Sequence, residues 1–191
     1  LRGKDYYQKL LDTYPDNSYI TLSSIDLKAR LNDLQAQLTK TLKEAEKFTD
    51  KTKPGKIENN QQEQKRLQEE IDFLQDKISQ GAAVVPLSGT LVLEYGKTSE
   101  NIYAGMDEEY RRYQPAIITW YETAKHAFER GADWQNMGGI ENDLKGGLYS
   151  FKSKFNPTIE EFAGEFNLPT NPLYHLSNLA YTLRKKLRSK H

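Results

Sequence analysis

From Asp26 to Phe48 the apolar positions Leu31, Leu34, Leu38, Ala45 and Phe48 recur in steps of three and four, with Thr41 on the same seam and Leu42 beside it. That step is the signature of a helix whose apolar stripe faces a partner helix. Leu67, Ile71, Leu74 and Ile78 repeat the pattern after the stretch Thr49 to Glu58, where Lys53-Pro54-Gly55-Lys56 stops any single continuous helix. Two helices therefore turn back on each other. At 1.5 Å rise per residue an arm of about 24 residues is about 36 Å long, too long to lie on a small core and too polar to be buried all round. The pattern predicts an antiparallel coiled-coil hairpin over residues 26–81 that projects outward. Between Asp26 and Lys77 it carries 11 basic and 11 acidic residues, which reads as a solvated, ion-paired face; a docking surface for a polyanion is the other reading.

Composition changes at Gly81. Residues 82–95 are apolar and β-branched, a turn follows over Tyr95 to Asn101, and Ile102-Tyr103-Ala104-Gly105 resumes the extended pattern, so paired antiparallel strands are expected. Pro115 suits the first turn of a helix whose face is Ala116, Ile117, Trp120, Ala124, Ala127 and Phe128, closed by Gly131. Next come a short strand at Asp133 to Met137, a loop with Gly138, Gly139, Gly146 and Gly147 read as turn glycines, a strand from Thr158 to Phe166, and a last helix opened near Asn171-Pro172. The order β-β-α-β-β-α defines an α+β class.

The 191 residues allow one or at most two domains, and 27 Lys+Arg against 27 Asp+Glu exclude a partner recognised by global charge. Without Cys there is no disulfide framework, zinc-thiolate site or cysteine nucleophile. His126, His175 and His191 are too scattered for a histidine metal site, so no metal is expected, and none of the three reads as a catalytic base. No apolar run approaches a spanning helix and no signal-like segment opens the chain. The start at Leu1, running straight into Arg2-Gly3-Lys4-Asp5-Tyr6-Tyr7, reads as the middle of something longer.

Between Trp134 and Tyr174 glycine, aromatic and lysine residues crowd together: Gly138-Gly139, Gly147-Leu148-Tyr149, Phe151-Lys152-Ser153-Lys154-Phe155, Gly164-Glu165-Phe166, Pro169 and Pro172-Leu173-Tyr174. With the hairpin, the Tyr-Ala-Gly strand end and the Pro-initiated helix, this ordered set resembles the C-terminal portion of the FemABX peptidoglycan bridge-forming aminoacyltransferases, over essentially the whole chain. The resemblance implies a GNAT-like domain, the second of two in the parent protein, formed by residues 1–25 and 82–191 with the arm of residues 26–81 inserted. It implies transfer of an amino acid from aminoacyl-tRNA to the stem-peptide lysine of a peptidoglycan precursor, UDP-linked or lipid-linked, with aminoacyl-tRNA as co-substrate and no other cofactor. A cytoplasmic location follows, extending to the inner face of the membrane if the acceptor is lipid-linked. The chain alone is expected to be inactive, because half of the precursor cleft is absent.

The same resemblance puts Phe151 and Lys152 in the catalytic cleft. An amine attacking an ester carbonyl develops an oxyanion, which a fixed ammonium stabilises more in the transition state than in the ground state. An ordinary strand-flanking surface lysine is the plain reading of Lys152, and Lys154 stands where the family often has Gly and competes for the role. Arg2 and Tyr6 match the family's Arg-x-x-x-Tyr element, which binds the precursor; Arg suits bidentate phosphate contact, and a helix-start Arg with a packed Tyr is the alternative. Tyr103 matches a strand-end tyrosine of the same cleft, bonding the precursor through its hydroxyl or filling core. No residue reads as the base that takes the amine's proton.

The approach to the Pro115 helix, Gly105 to Gln114, has one Gly and the acids Asp107, Glu108 and Glu109, which repel pyrophosphate and argue against an acetyl-CoA donor. The basic end, Arg184, Lys185, Lys186, Arg188 and Lys190, continues an apolar face of Leu173, Leu176, Leu179, Leu183 and Leu187. It reads as a solvated helix end, or as a surface attracted to tRNA phosphates or to an anionic membrane. The exposed seam near Leu42 could pair with a second arm. A rival from another class is a non-enzymatic module in which the hairpin, on a small α+β platform, binds a partner helix or tRNA.

Overall fold

The computed structural model describes residues 2–188 apart from 165, 167 and 172, without the side chains of Lys185, Lys186 and Arg188. The chain divides into two compact units, residues 1–155 and 156–191.

In the first unit a four-stranded sheet has the order β1 (Ser18–Asp26), β2 (Val84–Tyr95), β3 (Thr98–Met106), β4 (Trp134–Asn136). The first two pairings are antiparallel and the last is parallel. Strands β2 and β3 are joined by the two residues Gly96 and Lys97, so the turn fixes their register directly. Helix α4 (Pro115–Glu129) packs on β1 and β2 through hydroxyl groups rather than a layer of large apolar side chains. Ser23, Ser88 and Thr119 form a hydrogen-bonded triangle, and Thr90 meets Thr123 at 2.7 Å. These side chains are short enough to let helix and sheet approach, and each hydroxyl is satisfied in the dry interface.

The arm is an antiparallel pair of helices, α2 (Leu27–Ala45) and α3 (Pro54–Ser79). Asp26 caps α2 by accepting the Ala29 N–H at 2.9 Å, and Pro54 occupies the first turn of α3. The direction is fixed at two levels: Arg30 reaches Glu70 near the root, and the Asn60 amide donates to the Thr41 carbonyl at 3.0 Å nearer the tip. The root holds the principal apolar cluster, in which Leu27, Leu34, Leu67, Ile71 and Leu74 meet Leu87 of β2 and Tyr110 of the 3-10 turn Glu108–Tyr113. Leu34, Leu67, Ile71 and Leu74 of the expected seam are buried, and they belong to the cluster that joins arm to sheet; α2 ends at Ala45, short of Phe48. Beside it Arg30 lies over the Tyr113 ring, 5.7 Å from the centroid, and burial pushes the Tyr113 hydroxyl up to about 12.

Two elements precede the arm that periodicity did not announce, α1 (Lys4–Thr13) and β1. Strand β1 turns Tyr19, Thr21, Ser23 and Ile25 inward and leaves Ile20 and Leu22 exposed, so its alternation runs against hydrophobicity. The residues after Gly147 form a helix, α5 (Gly147–Lys152), and not the flank of a strand. The strand expected from Thr158 to Phe166 does not form among the described residues there. Gly164 is at φ 88° and Asn156 at φ 51°, both outside extended geometry. In the second unit α6 (Leu173–Arg188) forms as the periodicity predicts, with Leu173, Leu176, Leu179, Leu183 and Leu187 exposed. Lys190, His191, Glu165 and Pro172 lie outside the described residues, as do the side chains of Lys185, Lys186 and Arg188.

Candidate functional site

Lys152 is the last residue of α5 and is only 7% exposed. Its ammonium donates to the Gly139 carbonyl at 2.6 Å and sits over the Trp120 ring of α4, 5.7 Å from the centroid. An ammonium has three donors, and among the described residues the Gly139 carbonyl takes one. Phe151 packs edge-on against Trp120 at 5.3 Å, and Phe155 closes the cluster 5.6 Å from Phe151. The aromatic wall strips water from Lys152. Burial accordingly pushes its amine below the ordinary lysine value, while the Glu141 carboxylate pulls the other way. Lys154, two residues on, is exposed on the turn Ser153–Phe155. The structure thereby separates the two lysines: one is enclosed and fixed, the other solvated.

The loop that receives Lys152 is held by Glu141. Its carboxylate accepts the N–H groups of Leu148 at 3.2 Å and Tyr149 at 3.0 Å, in the first turn of α5. Hydrogen bonds from its own backbone N–H and from those of Tyr149 and Leu148 keep the carboxyl below the usual carboxylate range, with Lys152 adding to the effect. A Cβ built on Gly146 would overlap this carboxyl group, so a side chain there would displace it. Gly138, at φ 73°, turns the chain out of β4 toward Gly139.

A second group gathers on α1 and β3. The hydroxyls of Tyr6 and Tyr103 share a hydrogen bond of 3.1 Å across 97 residues of sequence, and Arg2 lies over the Tyr6 ring at 4.6 Å. Tyr7 bridges the pair, edge-on to Tyr103 at 5.1 Å and to Tyr6 at 5.4 Å. The bond to Tyr103, followed by burial, raises the Tyr6 hydroxyl above its ordinary value.

Arg2, Tyr6 and Tyr103 are thus brought together, and so are Phe151 and Lys152. No hydrogen bond or ring contact joins the two groups among the described residues. Topology relates them all the same. The parallel pairing of β3 with β4 covers only Thr98 to Glu100 against Trp134 to Asn136. Beyond it β3 runs on to Tyr103, while the other chain turns away at Gly138 to the carbonyl that holds Lys152. Both groups therefore belong to the end of this strand pair where the two strands part. Sequence reading missed Glu141, the Gly139 carbonyl, Tyr7 and the stacking role of Trp120. An acid five residues ahead of Gly146 is the only trace Glu141 leaves, and which backbone N–H groups it meets depends on how the loop folds.

Residues 1–182 match the FemAB family, and the chain belongs to it. Among curated relatives, the lipid II:glycine glycyltransferase of Staphylococcus epidermidis is 28% identical over 190 residues, which cover 92% of this chain and 45% of the relative. The enzyme of the same name from Staphylococcus saprophyticus is 29% identical over 187 residues, and that of Staphylococcus aureus is 25% identical over 197. The chain thus spans less than half the length of these relatives. Among solved structures, FemX superposes with a TM-score of 0.50 at 22% identity, covering 80% of this chain and 41% of that one. The mixed α/β architecture of this chain, with its four-stranded sheet, is similar to that of FemX.

Proposed function

We propose that the protein transfers an amino acid from aminoacyl-tRNA to the stem-peptide lysine of a peptidoglycan precursor, and that this chain is its GNAT-like second domain with a coiled-coil arm. The observation that carries the reading is the enclosed ammonium of Lys152, fixed at the parting of β3 and β4 in a chain of the FemAB family. Relatives named lipid II:glycine glycyltransferase support a peptidoglycan precursor as acceptor.

In the reaction the neutral acceptor amine attacks the ester carbonyl. The new C–N bond forms as the carbonyl becomes an oxyanion; the C–O bond to the tRNA ribose then breaks, and the ribose hydroxyl departs with a proton that the amine has lost. Lys152 faces the charge that develops. Its ammonium is positioned before reaction, so little reorganisation is needed when the oxyanion appears, and the aromatic wall of Trp120, Phe151 and Phe155 keeps the local dielectric low. In this scheme Phe151 has no polar atom to offer and acts by holding Lys152. Arg2 pairs with precursor phosphate, while the joined hydroxyls of Tyr6 and Tyr103 present donors and acceptors to the precursor's polar groups. Aminoacyl-tRNA is the co-substrate, and the scheme requires no further cofactor.

The reading is tested by incubating the complete protein with tRNA charged with Gly, Ala or Ser and a lysine-containing precursor, soluble or lipid-linked, followed by mass analysis of the precursor. A gain of one aminoacyl unit with one donor is expected. Folded protein that adds nothing from any donor to either acceptor contradicts it.

A further inference from the structure

Resting on the reading of Lys152 as the oxyanion-stabilising group, we propose that Glu141 is its positioning residue: the carboxylate locks the loop and helix that carry Lys152 and sets a negative charge on the loop that receives the enclosed ammonium. Three observations converge on it. Segment 139–152 is closed twice, once by the Lys152 ammonium on the Gly139 carbonyl and once by the Glu141 carboxylate on the N–H groups of Leu148 and Tyr149. Gly146 leaves the room that this carboxylate occupies, since a Cβ there would overlap it. And the Glu141 carboxylate favours the charged form of Lys152 against its burial.

Among the described residues, Glu141 is the carboxylate set against the burial of Lys152. Helix α4 turns the neutral Trp120 ring to it, its own helix contributes Phe151, and Lys154 lies exposed on the following turn. On the loop, Asp143 accepts the Lys145 N–H at 3.1 Å. Desolvation therefore opposes the charged form with one carboxylate set against it. Removing that carboxylate takes away a charge that favours the ammonium. A Gln at this position still has an oxygen to accept one of the two N–H groups, so Glu141→Gln alters charge more than shape.

The test uses the complete protein with 13C-labelled lysine. The Lys152 resonance, assigned by its loss in Lys152→Arg, is titrated in wild type and in Glu141→Gln, and transfer kinetics are measured on the same samples. The midpoint for Lys152 is expected to move to lower pH in Glu141→Gln. The alkaline fall of kcat should move with it, and kcat near neutral pH should drop about 10- to 100-fold with KM little changed, the scale expected for a displaced catalytic group. Glu141→Asp keeps the charge and should restore the midpoint toward wild type even where its shorter reach lowers kcat. A midpoint that does not move in folded Glu141→Gln overturns the inference, whether or not turnover falls. The titration decides this independently of catalysis: if Lys152→Ala proves silent in transfer, the role of Lys152 fails while the midpoint still reports whether Glu141 controls its charge.

Discussion

Lys152 sits in surroundings that a charge disfavours, and the arrangement has a signature in stability. Its amine is held below the ordinary lysine value by burial. Between that depressed value and the ordinary one the folded state binds fewer protons than the unfolded chain, so stability rises with pH across the window and the penalty is complete below it. Lys152→Met is therefore expected to leave the melting temperature unchanged or higher at neutral pH, since it removes a desolvated charge and exposes no unpaired group: Gly139 lies in contact with water. The gain over wild type should shrink as pH approaches the ordinary lysine range, which thermal melts at several pH values check. The tyrosine pair gives a different outcome. Tyr103→Phe keeps the ring contacts with Tyr6 and Tyr7 and deletes one hydroxyl, so it should raise KM for the precursor several-fold and leave kcat within a factor of a few, by loss of about 1 kcal/mol of binding.

Among the elements, the arm was the most legible in sequence and the site the least. Leu34, Leu67, Ile71 and Leu74 repeat at helical steps, and a helix reads its partner through that repeat alone, so the hairpin followed from local information. Strand β1 was not legible, because its inward face is Tyr19, Thr21, Ser23 and Ile25, and those hydroxyls become core only when Ser88 and Thr119 arrive from far along the chain. The expected strand at 158–166 has β-compatible residues, yet Asn156, just before it, and Gly164, inside it, take positive φ. Lys152 and Tyr103 were legible as a family resemblance. The wall around Lys152 was not, since Trp120, Gly139 and Glu141 reach it only through the fold. For the arm, Glu70 accepts Arg30 at 2.7 Å and Arg66 at 3.3 Å while its side chain is 5% exposed. Glu70→Leu leaves the Arg30 guanidinium without its partner, while Arg66 keeps its pair with Glu63 at 2.7 Å, and is expected to lower stability by about 2 kcal/mol, the scale for stranding a partly buried charged group. Denaturant melts of the variant measure it. Shortening both arm helices beyond Thr41 and Asn60 should spare transfer, because the apolar root stays intact.

For the whole molecule, one sheet edge does the organising. The β3/β4 pair parts after Glu100 and Asn136, and the residues set on either side of the gap are the tyrosine group and the lysine group. The arm is rooted in a cluster that includes Leu87 of β2, whereas the tyrosine and lysine groups are set by the β3/β4 end of the sheet. The most direct measurement compares single-turnover aminoacyl transfer by the complete wild-type protein and by Lys152→Ala, with saturating charged tRNA and precursor and with folding of both verified by melting. The account predicts that Lys152→Ala transfers about 100-fold more slowly or worse, the scale for deleting one oxyanion-stabilising donor, while still binding precursor. Transfer within a few-fold of wild type by folded Lys152→Ala would contradict it.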